Sequence, residues 1–126
     1  MGAASSSRTG GADQPNDPTR DQSPQPVCVV LSSESTPERA EALARALLEQ
    51  RLVACVSLLP VRSLYRWQGK LETADEVKML LKTSPEQLEP LHQTLHALHS
   101  YQTPEWILLS GSTWGDYGAW LAAQLA

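Results

Sequence analysis

Apolar and polar positions change rhythm several times along the chain, and each change marks an element. From Pro26 to Ser32, the residues Val27, Cys28, Val29, Val30 and Leu31 are apolar on both alternating faces, the pattern of a strand covered on both sides. Thr36-Pro37-Glu38 then opens a helix, with a capping hydroxyl, a proline at the first helical position and an acid at the positive end of the dipole. Ala40, Leu43, Ala44, Leu47 and Leu48 follow at helical spacing and predict its buried stripe. Leu52 to Trp67 predicts a long strand, continuously apolar at first and alternating later. In the alternating part Arg62, Leu64 and Arg66 share one face, while Ser63, Tyr65 and Trp67 share the other. Pro60 has no backbone donor, so a bend, a bulge or an exposed edge is expected there.

Gln68-Gly69-Lys70 predicts the tip of a hairpin, and Leu71 to Thr83 returns as the third strand. Val77, Met79 and Leu81 point to one side of it, and Glu76, Lys78, Leu80 and Lys82 to the other. Ser84-Pro85-Glu86-Gln87 predicts a second helix start, with Gln87 placed to complete a capping box and Leu88, Leu91, Leu95 and Leu98 as the stripe. Glu105 to Ser110 predicts a fourth strand. A Gly111-Ser112-Thr113 turn then leads to a final helix with Tyr117, Trp120, Leu121 and Leu125 near its inner face. The order β-α-β-β-α-β plus one helix predicts an α+β, ferredoxin-like sandwich with a four-stranded antiparallel sheet and two helices on one face. Cys28, Val30, Leu58 and Leu80 predict apolar material on the other face as well. The hairpin edges near Tyr65, Trp67 and Leu71 need protection. Self-association is expected to bury both.

Composition narrows the function. The chain has 126 residues, enough for one domain, and a formal net charge of -4 with no basic run, which argues against nucleic-acid binding. No run of about 18 apolar residues predicts a membrane span. Residues 1 to 25 are rich in Ser, Gly, Pro, Asp and Asn and predict a disordered tail, leaving 26 to 126 as the folded domain. Met1 to Gly11 lacks the apolar segment of a secretory signal, so a cytoplasmic location is expected. Cys28 and Cys55 lie in apolar runs and read as buried thiols.

Few positions suggest chemistry. There is no Gly-x-Ser-x-Gly elbow and no phosphate-cradling Gly-rich loop. Glu72, Asp75 and Glu76 read as solvated strand charges, so an enzyme is not expected. His92, His96 and His99 stand at i, i+4 and i+7 on the second helix, within about a 60° arc, a spacing that suits copper, zinc or nickel. Tyr65, Trp67, Lys82, Tyr101, Glu105 and Trp114 are candidates for a cleft between subunits, with a Lys82–Glu105 ion pair and aromatic walls around a small polar ligand.

Several blocks together resemble the CutA family. They are Arg51-Leu52-Val53-Ala54-Cys55-Val56, then Tyr65-Arg66-Trp67-Gln68-Gly69-Lys70-Leu71-Glu72 with Glu76 and Lys82-Thr83, then His99-Ser100-Tyr101-Gln102-Thr103-Pro104-Glu105, and Trp120. They span the chain after the tail in family order. The resemblance implies a ferredoxin-like subunit in a tight homotrimer, with long hairpins extending sheets across subunits. It also implies tolerance to divalent cations, copper in particular. Some animal relatives are associated instead with membrane anchoring of acetylcholinesterase. Some bacterial relatives carry a Cys near the position of Ser32 and paired His where Leu98 and His99 stand; of those ligands only His99 is retained here. A PII-like small-molecule sensor or interaction scaffold, using the same trimer and clefts, is the alternative reading.

Overall fold

The computed structural model describes residues 23–126; most of the expected tail lies outside them. The elements are β1 (Gln25–Glu34), α1 (Pro37–Glu49), β2 (Cys55–Trp67), β3 (Lys70–Thr83), a 3-10 turn (Pro85–Gln87), α2 (Leu88–Leu98), β4 (Ile107–Thr113) and α3 (Gly115–Leu125). The strands form one sheet in the order β2-β3-β1-β4, antiparallel throughout. This is the ferredoxin-like arrangement expected from the element order.

The first helix starts as its sequence dictates. Thr36 is extended, and its hydroxyl accepts from the Arg39 amide at 3.1 Å. Its end explains why Leu52–Ala54 is not strand, contrary to the apolar run. Arg51 takes a left-handed conformation (φ 56°); its amide bonds the Leu48 carbonyl, and the Leu52 amide reaches back to Leu47. This Schellman closure folds Leu52 and Val53 under the helix as buried loop residues. The hairpin is as expected: Gln68 and Gly69 both have positive φ, as a two-residue turn with right-handed strand twist requires. Pro60 lies on β2, the edge strand, opposite Val77 in an unbroken register.

Two terminations differ from expectation. Ser84 caps nothing with its side chain, and Gln87 makes no capping box. The Gln87 side-chain Nε2 instead donates to the carbonyls of Arg51 and Leu125, tying three segments together. Gly111 and Ser112 are not a turn but lie in the C-terminal part of β4, paired with Val27 and Pro26. Tertiary pairing with β1 overrides their turn preference.

The core lies between α1, α2 and one face of the sheet. Ala40, Leu43, Ala44 and Leu47 of α1 and Leu91 and Leu95 of α2 meet Val30, Val77, Met79 and Leu81. The register puts Cys28, Val30, Ser32 and Glu34 on this covered face, with Leu58 opposite Met79. Cys28, Val30 and Leu58 therefore do not belong to the open face, as the sequence suggested; only Leu80 does. The open face carries Val29, Leu31 and Leu80, half-buried, and Leu59, Ile107 and Leu109, each about half exposed (50%, 46% and 51%). Helix α3 leans on one corner of that face, where a Cβ on Gly118 would meet Thr113 Oγ1 at 2.5 Å. The rest is an uncovered apolar layer.

Candidate functional site

At the other end of the open face, the hairpin and the segment from Ser100 to Glu105 bound a groove of about 830 Å³. Its walls include Tyr65 and Trp67 from β2, Asp75, Glu76 and Lys78 from β3, and Tyr101 and Glu105 from the far loop. These residues meet because Ser33 pairs with Lys78 in the β1–β3 register, while the chain leaving α2 returns across the same end of the sheet.

The groove rests on a buried polar layer. Glu34 is 2% exposed, and its carboxylate accepts from the Ser35 amide at 2.8 Å, the Ser100 amide at 2.9 Å and the Ser100 hydroxyl at 2.5 Å. Burial pushes the Glu34 carboxyl up, but those hydrogen bonds and the adjacent His99 outweigh it and hold the group below its ordinary range. The charge stays on because the surrounding donors solvate it.

His99 is part of this layer. It caps the end of α2 with extended backbone, and its ring is wholly buried. The Tyr101 amide donates to Nδ1 at 3.0 Å, and Nε2 donates to the Ser33 carbonyl. Both ring nitrogens are thus engaged within the layer, and neither is open to a metal. The expected stripe of three histidines is not assembled. The helix stops at Leu98, so the 100° projection ends before His99, whose ring turns inward.

At the groove surface, Glu105 accepts from Lys78 Nζ at 2.7 Å and from the Ser33 hydroxyl at 3.0 Å. The expected partner, Lys82, is instead 5.9 Å from the Tyr117 ring of α3, four residues along the same face of β3. Tyr101 donates its hydroxyl to Glu76 at 2.6 Å; burial first, and then the Glu76 carboxylate, push the phenol well above its ordinary range, so it remains a donor. Asp75 pairs with Arg62 at 3.1 Å. Of the candidate cleft residues, Tyr65, Trp67, Tyr101 and Glu105 line the groove. Lys82 and Trp114 do not, the latter standing 65% exposed before α3.

Sequence reasoning missed Ser33, Glu34, Lys78 and Ser100, and it read Glu76 as merely solvated. One signal was available: Glu34 continues the buried i, i+2 row of Val30 and Ser32, and a carboxylate in such a row must have donors waiting. Among the described residues, no group of three or more His, Cys, Asp or Glu side chains converges to hold a metal. Burial raises the Cys28 thiol, with Glu86 adding to the effect and a Ser110 hydrogen bond opposing it, so it is a poor thiolate ligand. One subunit does not complete a copper site of the Cys-and-paired-His kind.

The family model of the CutA1 divalent ion tolerance protein matches residues 28–124. The divalent-cation tolerance protein CutA of Pectobacterium atrosepticum is 45% identical over 109 residues, covering 82% of this chain and 98% of that protein. Its counterpart in Citrobacter koseri is 41% identical over 114 residues, covering 87% and 97%. Among solved structures, CutA from Synechococcus elongatus has a TM-score of 0.79 at 37% identity, covering 82% of this chain and 96% of that one. CutA1 from Pyrococcus horikoshii has a TM-score of 0.75 at 32% identity, covering 79% and 98%. With fold, length and sequence blocks all agreeing, the chain belongs to the CutA1 family of divalent ion tolerance proteins.

Proposed function

We propose that the chain works as a cytoplasmic homotrimer that binds divalent cations without transforming them, and that assembly completes a ligand site at the groove. The observation that carries this reading is Glu76: a carboxylate in the groove wall, oriented by Tyr101, with no cationic partner among the described residues. The neighbouring acids are already paired, Glu105 with Lys78 and Asp75 with Arg62, so Glu76 leaves the groove with surplus negative charge. Oxygen donors of this kind suit harder dications. Ligands beyond Glu76 would come from a second subunit, and the open apolar face beside the groove supports such packing. The unpaired Cys28 and Cys55 support a reducing compartment. Membership of the tolerance family favours this reading over the PII-like alternative.

Light scattering on tag-free protein should give a particle of three times the 13.8 kDa chain mass. Calorimetric titration with Mn(II) should show binding that Glu76→Gln weakens by about tenfold, the loss of one charged ligand. A 13.8 kDa particle at every dilution, or Mn(II) binding indifferent to Glu76→Gln, removes the reading.

A further inference from the structure

The outer flank of α2 holds a cluster that the groove does not use. Leu91 and Leu95, fully buried, fix the rotation of the helix on the core. His92 and His96 are consequently held on its flank, His92 exposed and His96 half-buried. Residues at i, i+4 lie one above the other on a helix. Here the two imidazole centroids are 4.0 Å apart, with planes inclined at 34°. Trp106, packed against the core just before β4, forms the adjoining wall: its ring meets His92 edge-on at 4.7 Å and lies 6.1 Å from His96.

The hydrogen bonding points the same way. His96 Nδ1 lies 2.8 Å from the His92 carbonyl oxygen. A carbonyl can only accept, so Nδ1 is the donor in this contact and Nε2 is the nitrogen left for a ligand. A bond from one ring nitrogen to a backbone carbonyl is the kind of contact that orients metal-ligating histidines. His92 has no hydrogen bond among the described residues, so its ring nitrogens are not committed to a protein partner.

We infer that His92 and His96 form a two-imidazole site for a borderline transition-metal dication, with Cu(II) the ion it should favour. Nitrogen donors select copper, nickel and zinc over magnesium and calcium, and copper stands highest in that series. Two protein ligands leave the remaining positions to water. The site is separate from the groove in place and in donor chemistry: nitrogen on the outer face of a helix, against oxygen on the open face of the sheet. It also lies within one subunit, so it does not depend on assembly.

The test is titration of tag-free full-length protein with a Cu(II) salt, read by calorimetry and by tryptophan fluorescence. Paramagnetic Cu(II) beside Trp106 quenches it, and Trp106→Phe identifies that component among the four tryptophans. His92→Gln/His96→Gln should lose the quenching and weaken the binding event by at least about tenfold, with an unchanged far-UV spectrum. Glu76→Gln should leave it intact, which separates this site from the groove. Equal copper binding by the wild type and the double histidine variant, or no Trp106 quenching in the wild type, overturns the site.

Discussion

Replacing Glu34 by Gln tests whether the layer beneath the groove is held by a charge. The side chains are nearly equal in volume, so packing is preserved and only the charge and one acceptor are lost. Both carboxylate oxygens face backbone donors, Oε1 the Ser35 amide and Oε2 the Ser100 amide. Whichever way a glutamine turns, its own NH2 must point at one of them. One hydrogen bond to a charged acceptor is lost, a contribution of about 1.5–3 kcal/mol, and one buried amide is left unpaired at about 1–3 kcal/mol. These costs overlap, so Glu34→Gln should destabilise by about 3 kcal/mol at pH 7. The assay is urea denaturation followed by circular dichroism at one fixed protein concentration, because assembly would add to stability.

The pH dependence has a definite sign. The folded-state value of Glu34 lies below its ordinary 4.5, so the unfolded chain takes up the proton first on acidification. The stabilisation is complete above 4.5 and is lost as pH falls through the lower folded-state value. Glutamine has no such titration. The gap between wild type and variant should therefore be widest near neutrality and narrow below 4.5. A gap under about 1 kcal/mol at pH 7, or one that stays constant into acid, would refute the reasoning.

Two further perturbations probe the frame around the site. The Ser32 hydroxyl is wholly buried and has no hydrogen-bond partner among the described residues, so Ser32→Ala should raise stability by about 1 kcal/mol; a lower urea midpoint would contradict this. Gly118→Ala adds a methyl 2.5 Å from Thr113 Oγ1, a short side chain anchored on β4. Overpacking of about 1–3 kcal/mol should outweigh the gain of about 1 kcal/mol in helix propensity, lowering Tm and exposing α3 to limited proteolysis; a higher Tm would show that α3 can shift without cost.

Where a local pattern met no distant competitor, the sequence was a sufficient guide. Thr36-Pro37-Glu38 contains everything needed to start a helix, and Val77, Met79 and Leu81 fix the covered face of β3 by alternation alone. Errors arose where a local preference met a distant partner. Gly111 and Ser112 suit a turn, yet β1 supplies ladder partners and draws them into β4. Leu52–Ala54 suit a strand, yet the closure of α1 through Arg51 uses the Leu52 amide first.

The groove was half legible for the same reason. Its aromatic walls could be proposed because Tyr65 and Trp67 follow from alternation within one strand. Its polar floor joins Ser33 and Glu34 to His99, Ser100 and Glu105 across 66 to 72 residues of chain. No spacing within a single element encodes such a meeting. The Lys82–Glu105 expectation shows how far composition reaches: it identified an ammonium on the correct face of β3 but not which one, because Lys78 and Lys82 are indistinguishable until the β1–β3 register is known. That register places Lys78 opposite Ser33, and Glu105 then accepts from both. Pairing Lys78 neutralises Glu105 and leaves Glu76 without a cationic partner among the described residues, so the cation-binding reading depends on a register rather than on a motif.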